Sequence, residues 1–336
     1  MVTIYDIAKR ANVSSMTVSR VINNSGTVKE ETRKKVEQII KELNYIPNSA
    51  ARSLNIKETK ILSLIITDIT NPFFTKVARG AEDKAKQMGY RLLLSNSDES
   101  LEKESEYINM ILSSGVDGVL IAPSGDQSKK NLRTLIKHRI PFVLIDREVD
   151  GIQSDVVMGD NFDGTRKLIE HIIQQGHRKI ALINGPSNIS TARAREKAFI
   201  ETLQLSGIQP EENLMYNISF KQNNAEKIVE KLVSLKKAER PTAIFAANNF
   251  IAVDTVKALR DLGKSVPEDM AIVCFDDPEP IPGFNPFLTV AAQPDYNFGY
   301  LGVQLLIERI EKKGPQGFQR IVLPPEIHIS KSSIKG

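Results

Sequence analysis

Cysteine is close to absent. The single copy, Cys274, lies in an apolar run, which predicts a small buried side chain and leaves no partner for an internal disulfide. Histidine is scarce too. His138, His171, His177 and His328 are scattered, and none has a neighbour at metal-ligand spacing, so neither a metal nor a cofactor is expected. Long apolar runs are missing, and nothing approaches the roughly 18 residues of a membrane span. The opening Met1-Val2-Thr3-Ile4-Tyr5-Asp6 has no basic stretch followed by an apolar one, which predicts a cytoplasmic protein rather than an exported one. No P-loop, G-x-G-x-x-G or G-x-S-x-G occurs. Asp276-Asp277 is the nearest thing to a catalytic or metal pair, but consecutive strand residues point to opposite faces. These absences argue against an enzyme.

What the chain does have is length and an uneven charge. Its 336 residues are enough for two or three domains, and 41% hydrophobic residues allow a large core. Residues 1–60 carry 11 Lys+Arg against 6 Asp+Glu, a net +5, whereas the remainder carries 34 against 35. The whole positive excess therefore sits in the first sixth of the chain, the footprint of a small nucleic-acid-binding head on a neutral body.

The head, residues 1–46, reads as three short helices. Thr3 followed by Asp6 is an N-cap signal, and Ile4, Ile7, Ala8 and Ala11 then share one face. After a break at Asn12-Val13, Ser14 caps a second helix with apolar Val18, Val21 and Ile22. The joint of about four residues suits a helix-turn-helix. The spacing predicts a third helix from near Thr27, with Glu30 closing another cap box, to about Leu43. The second helix presents Ser15, Met16, Thr17, Ser19 and Arg20 outward. In a helix-turn-helix this element enters the major groove, where a guanidinium forks onto guanine N7 and O6.

Thr3–Ala8, Val13–Asn23, Thr32–Val36 and Leu43–Asn48, in that order and spacing, closely resemble the lactose/galactose repressor family. The resemblance implies that Ser15, Met16 and Arg20 read bases, while Tyr5, Ser14, Thr17, Ser19 and Asn23 hold phosphates or fix the helix's register. Met16 departs from the polar residue common there, and suits a thymine methyl. Residues 47–60 are then the linker, too short and polar to be a stable helix alone. Ala51 lets two copies approach closely, and Leu54 matches the leucine that relatives wedge into the minor groove. A wedge with a symmetric mate implies a homodimer on a near-palindromic operator in double-stranded DNA.

Past residue 60 strand and helix patterns alternate, with apolar runs at 61–67, 90–95 and 118–122 and restarts at 179–184 and 242–247. Alternation of this kind means parallel sheet, and two blocks of it suggest two doubly wound lobes around a cleft. The expected fold is an all-α helix-turn-helix head followed by an α/β, two-lobed, periplasmic-binding-protein-like body. The family resemblance implies lobe 1 at about 61–159 plus 292–320 and lobe 2 at about 160–290 plus 321–331, with crossings near Gly159, Ala291 and Ile321.

Ligands in such sheets bind beyond the carboxyl ends of the strands. Those segments supply Asn71, Phe73, Phe74, Asp146, Arg147, Thr191, Arg195, Phe220, Asn248, Asp276 and Gln293. This mixture of rings, charges and amides suits a sugar. The resemblance extends along the body and implies an effector role for these residues, while Asn249 stands where the family usually has aspartate. Arg147 and Arg195 together lean toward a sugar acid or phosphate.

Two other functions compete. A transporter's solute-binding protein shares the body, but it needs an export signal and has no use for residues 1–60. A regulator driven by a phosphocarrier corepressor would be separated from a sugar-driven one by a pull-down.

The charge distribution carries a first prediction. DNA binding should weaken steeply with salt, because each phosphate neutralised contributes about −0.9 to the slope of log affinity on log salt. A flat plot would remove the basic head as the DNA-contacting element.

Overall fold

Thr3 starts the first helix. In the computed structural model of the chain, which describes residues 2–22, 25–45, 59–221, 225–278 and 286–334, α1 (Ile4–Ala11) opens on a reciprocal cap. The Asp6 N–H donates to Thr3 Oγ1 at 3.3 Å, and the Thr3 N–H donates to the Asp6 carboxylate at 2.8 Å. The Thr3 hydroxyl and N–H hold the Asp6 carboxyl below its ordinary pKa. The helix stops where Asn12 turns left-handed (φ 56°), letting the Val13 N–H reach the Ala8 carbonyl at 3.0 Å.

Helix α2 (Ser15–Ile22) follows, and the Thr17 N–H donates to Ser14 Oγ at 3.1 Å. Helix α3 (Glu30–Glu42) begins two residues later than the cap pattern at Thr27 suggests. Lys29 at its boundary has φ −57° and ψ 137° and makes no side-chain cap, so Glu30 lies in the first turn instead of closing a box. There it faces the positive end of the helix dipole. Ile7, Ala8, Ala11, Val18, Val21, Val36 and Ile39 form the buried centre. Asn23, Ala51 and Leu54 lie outside the described residues, as does most of the linker. The chain forms two compact units, divided between Thr59 and Lys60.

The second unit is built from two six-stranded sheets. Strands β1 (Ile61–Ile66), β2 (Arg91–Asn96), β3 (Gly118–Ile121), β4 (Phe142–Ile145) and β5 (Asp155–Gly159) belong to lobe 1. They alternate with α4 (Pro72–Gln87), α5 (Leu101–Ser114) and α6 (Lys129–Lys137). After Gly159 the chain crosses to lobe 2. There α7 (Asn161–Gln174), β6 (Ile180–Asn184), α8 (Ser190–Leu205), β7 (Met215–Asn217), α9 (Glu226–Ser234), β8 (Ala243–Ala246), α10 (Asn249–Asp261), β9 (Ala271–Phe275) and β10 (Thr289–Ala292) repeat the pattern. It then returns to lobe 1 for α11 (Asp295–Ile310) and β11 (Arg320–Leu323), and ends in lobe 2 with β12 (Glu326–His328).

The strand orders, β11-β5-β4-β3-β1-β2 and β12-β10-β9-β8-β6-β7, match position for position. Every pairing is parallel except β10 with β12. Because β11 pairs with β5, Arg320 to Val156 through Leu323 to Gly159, the last crossing falls at Pro324-Pro325 and not near Ile321. The central strands are largely apolar, as burial on both faces requires; β1, β3, β6, β8 and β9 bury nearly every side chain.

Helices α4 and α11 pack in close contact on lobe 1 through two glycines. A Cβ on Gly80 would overlap the Tyr296 carbonyl, and one on Gly299 would overlap the Val77 carbonyl. Backbone atoms cannot rotate aside, so Gly299→Ala should overpack this contact at a cost of about 3 kcal/mol. Alanine's helix preference returns only about 1 kcal/mol. A thermal or urea unfolding curve should show a net loss; an unchanged midpoint would mean the helices re-space freely.

Candidate functional site

In the head, positions on α1, at the turn before α2 and on α2 carry the candidate DNA contacts. Met16 is 62% exposed and Tyr5 is 71% exposed, large apolar surfaces for so small a domain. Arg20 and Ser14 are also exposed, while Ser15, Thr17 and Ser19 are half-buried. Ser14 Oγ and Thr17 Oγ1 share a hydrogen bond at 3.0 Å, which holds the start of the helix. Arg20 lies over Gly26, whose φ of +69° turns the loop after α2.

In the body, the strand ends of the two lobes face one cleft. Asn71, Phe73, Phe74, Asp146, Arg147, Thr191, Arg195, Phe220, Asn248 and Asp276 all line it. Gln293 does not line it but donates to Asp276 Oδ1 at 2.6 Å. Asp68, Glu99, Lys221 and Phe250 line it as well. Sequence reasoning passed over these four. Asp68 and Glu99 fall within three residues of the ends of β1 and β2, and Phe250 lies in the first turn of α10, so a uniform strand-end rule finds all three. Lys221 carries no such signal beyond following Phe220.

Two aspartates hold equivalent places in the lobes. Asp146 follows β4 and Asp276 follows β9, both left-handed, with φ of 64° and 67°. Asp tolerates that region better than most residues. Each donates its N–H to the neighbouring strand, Asp146 to Val157 at 2.9 Å and Asp276 to Ala291 at 3.1 Å. Asp276 is thus already past the strand, so strand alternation does not govern its direction.

Each aspartate faces a buried arginine. Arg147 makes a two-pronged pair with Glu99, both distances 2.8 Å, and donates to the Pro123 carbonyl at 3.1 Å. Its Nε lies 3.4 Å from Asp146 and has no hydrogen bond among the described residues. Burial opposes the Arg147 charge, but Glu99 outweighs it and raises the pKa. Glu99 reaches Arg147 because Asp98 and Glu99 are both left-handed.

Arg195 on α8 donates from Nε to Asn161 at 2.8 Å and from Nη1 to the Ala247 carbonyl, and lies 3.9 Å from the Phe275 ring centre. Its contact with Asp276 is looser, 3.6 Å. Burial accordingly lowers the Arg195 pKa and raises that of Asp276. Burial also pushes Asp146 up to about 6. The cleft therefore holds charges whose hydrogen-bonding capacity is not used up.

Aromatic rings complete the wall. The Phe220 ring packs on Gly185, where no Cβ would fit, and the Asn248 amide donates to the Phe220 carbonyl at 3.1 Å. Asn248 also caps α10, accepting from the Ile251 N–H at 2.9 Å. Among the described residues no group of His, Cys, Asp and Glu is placed to hold a metal ion, and no helix is long and apolar enough to cross a membrane.

Comparison with known proteins places these features in a family. Residues 3–48 match the model of bacterial regulatory proteins of the lacI family, and residues 169–333 match a periplasmic binding protein-like domain. The ribose operon repressor of Halalkalibacterium halodurans is 38% identical, over 100% of this chain and 98% of its own length. The HTH-type transcriptional repressor PurR of Aliivibrio fischeri is 33% identical over 99% and 98%. The lac repressor dimer bound to operator and the anti-inducer ONPF superposes with a TM-score of 0.85 at 26% identity, covering 99% of both chains. These relatives are transcriptional repressors and not enzymes.

The electrostatics generate a pH prediction at the second crossing. Burial pushes Asp295, the first residue of α11, up to about 8, with Asp276 adding to the shift and Lys76, 3.7 Å away, opposing it. A carboxyl raised from 3.8 favours the fold when protonated. Its contribution is full below the unfolded value and is lost as pH rises through about 8. Asp295→Asn should therefore flatten the fall in melting temperature between about pH 4 and about pH 9. Parallel profiles for the two proteins would show that Asp295 is not desolvated.

Proposed function

The chain belongs to the lacI family of bacterial regulatory proteins and is a DNA-binding transcriptional repressor, and on that premise we propose that it grips a near-palindromic operator as a homodimer, with its grip set by a small uncharged carbohydrate in the cleft. It acts in the cytoplasm on the operator of a carbohydrate-utilisation operon. The exposed Met16 and Arg20 support a base-reading role for α2, and the exposed Tyr5 on α1 supports a phosphate contact. The edge strand β2 supports dimerisation, since Leu93 and Leu94 leave apolar surface uncovered in a single chain.

The observation that carries the effector class is the state of the two arginines. Both are committed to carboxylates or carbonyls before any ligand arrives. Four lining carboxylates, Asp68, Glu99, Asp146 and Asp276, stand against Arg147, Arg195 and Lys221, and Lys221 is itself 3.1 Å from Asp98. An anionic ligand would have to displace a carboxylate from its guanidinium. A hydroxyl instead donates to Asp146 or Asp276 and accepts from Arg147 Nε or Arg195, filling capacity the cleft leaves open. This reverses the lean toward a sugar acid or phosphate that the two arginines suggest when read alone. Phe220 and Phe250 supply faces for the apolar side of a sugar ring.

Calorimetry of the full-length protein against neutral pentoses and hexoses, matched aldonic acids and sugar phosphates tests this. A neutral sugar should bind, shift operator affinity, and lose at least tenfold in affinity in Arg195→Ala and in Asp276→Asn, with effector-free operator binding retained. Binding confined to the acids or phosphates would sink the neutral-ligand reading. Unchanged affinity in both variants would sink the pocket assignment.

A further inference from the structure

Asn249 follows the cap residue of α10 and is 1% exposed. Its Oδ1 accepts from the Phe250 N–H at 2.8 Å. In the opposite lobe Asn71 caps α4, its Oδ1 accepting from the Phe73 N–H at 3.0 Å. These backbone hydrogen bonds fix which way each amide faces, with the carbonyl toward its own helix and the NH2 toward the other lobe. The two amides then meet. Asn249 Nδ2 donates to Asn71 Oδ1 at 2.9 Å, and Asn71 Nδ2 donates to Asn249 Oδ1 at 3.2 Å.

We propose that Asn71 and Asn249 form a latch that needs no ligand, a reciprocal amide pair that holds the lobes together before the effector binds and positions Phe73 and Phe250 on the cleft wall. Each amide both donates and accepts across the gap while its oxygen also accepts a backbone N–H at the start of its own helix, so neither can rotate without giving up a bond. A carboxylate at either position has no N–H to donate and sets an oxygen against the other residue's oxygen. The ion pairs that also bridge the lobes are of a different kind. Arg193 with Asp126 and Lys221 with Asp98 are ion pairs with side chains 38–43% exposed, open to screening by salt. The amide pair is buried and uncharged, so salt does not weaken it. The proposal does not depend on which molecule fills the cleft, and its failure would leave the effector assignment standing.

The test measures lobe separation in the full-length protein without sugar. Nitroxides are attached through Lys137→Cys on α6 and Leu205→Cys on α8, both exposed, while the native Cys274 is buried. The labelled chain is diluted into unlabelled chain, so that pulsed electron resonance reads distances within one chain. The parent should show one closed population in dilute buffer and at about 1 M salt, where screening acts within about 3 Å. Asn249→Asp and Asn71→Asp, each close in shape to the parent side chain, should each shift the closed-to-open ratio by about tenfold. Asn71→Ala combined with Asn249→Ala should open no further than either alone. Unchanged distances in both aspartate variants, additive effects of the alanines, or opening of the parent by salt alone would each overturn the latch.

Discussion

A guanidinium held away from water must find acceptors, and the body of this protein buries two of them between its lobes. Much of the local architecture answers that requirement. Strands β4 and β9 end in left-handed aspartates whose carboxylates face the cleft. Two consecutive left-handed residues after β2 swing Glu99 onto Arg147. Asn161 at the start of α7 and the carbonyl after β8 complete the ring around Arg195. The match is incomplete by design of geometry, not of composition: the Arg195–Asp276 separation of 3.6 Å and the open Arg147 Nε leave both pairs short of partners. That residual capacity is what the proposed ligand would fill.

The same constraint reaches the chain crossings. Asp276 accepts from Gln293, which stands at the second crossing, and the Gln293 side chain fills the space where a Cβ on Gly159 would lie at the first. Gln293 Oε1 is buried without a hydrogen bond among the described residues. Any change in what Asp276 bonds therefore acts on a side chain wedged between two of the three strands' exits from their lobes. Asp295 lies two residues further on, and Asp276 is among the charges that raise its pKa. Ligand site and crossing segments share one electrostatic neighbourhood.

How much of this the sequence reveals depends on the range of the interaction. Helix caps and apolar faces are local, and Thr3 with Asp6 or Ser14 with Thr17 can be read directly. The Thr27 cap is the exception, because an extended Lys29 delays α3 and nothing in residue type signals that. The sheets are legible because parallel topology forces apolar runs to alternate with amphipathic helices. The strand-end rule then gathers Asn71, Asp146, Arg195 and Asp276 into one cleft without any knowledge of distances. What it cannot supply is pairing. Glu99 and Arg147 are 48 positions apart, and Asn71 and Asn249 are 178 apart; their contacts depend on loop conformation and lobe approach. The proposal of a neutral ligand in place of an anionic one has this origin: two arginines near a site look like an anion receptor until their partners are seen.

The contacts that join the lobes also set the scale on which an effector acts. Exposed pairs such as Arg193 with Asp126 are worth about 0–1 kcal/mol each, and two buried amide hydrogen bonds add about 1 kcal/mol apiece. Closure is then a balance of a few kcal/mol. A ligand with a dissociation constant between about 1 mM and about 1 μM brings about 4–8 kcal/mol. It alters the lobe arrangement only by the part of that energy which differs between the two arrangements. Interactions confined to one lobe contribute nothing to that difference, whereas a ligand with one hydroxyl donating to Asp146 and another to Asp276 contributes fully, since these two carboxylates follow equivalent strands of opposite lobes. The regulatory response thus depends less on how tightly the cleft holds its ligand than on how evenly the ligand's bonds are divided between the lobes.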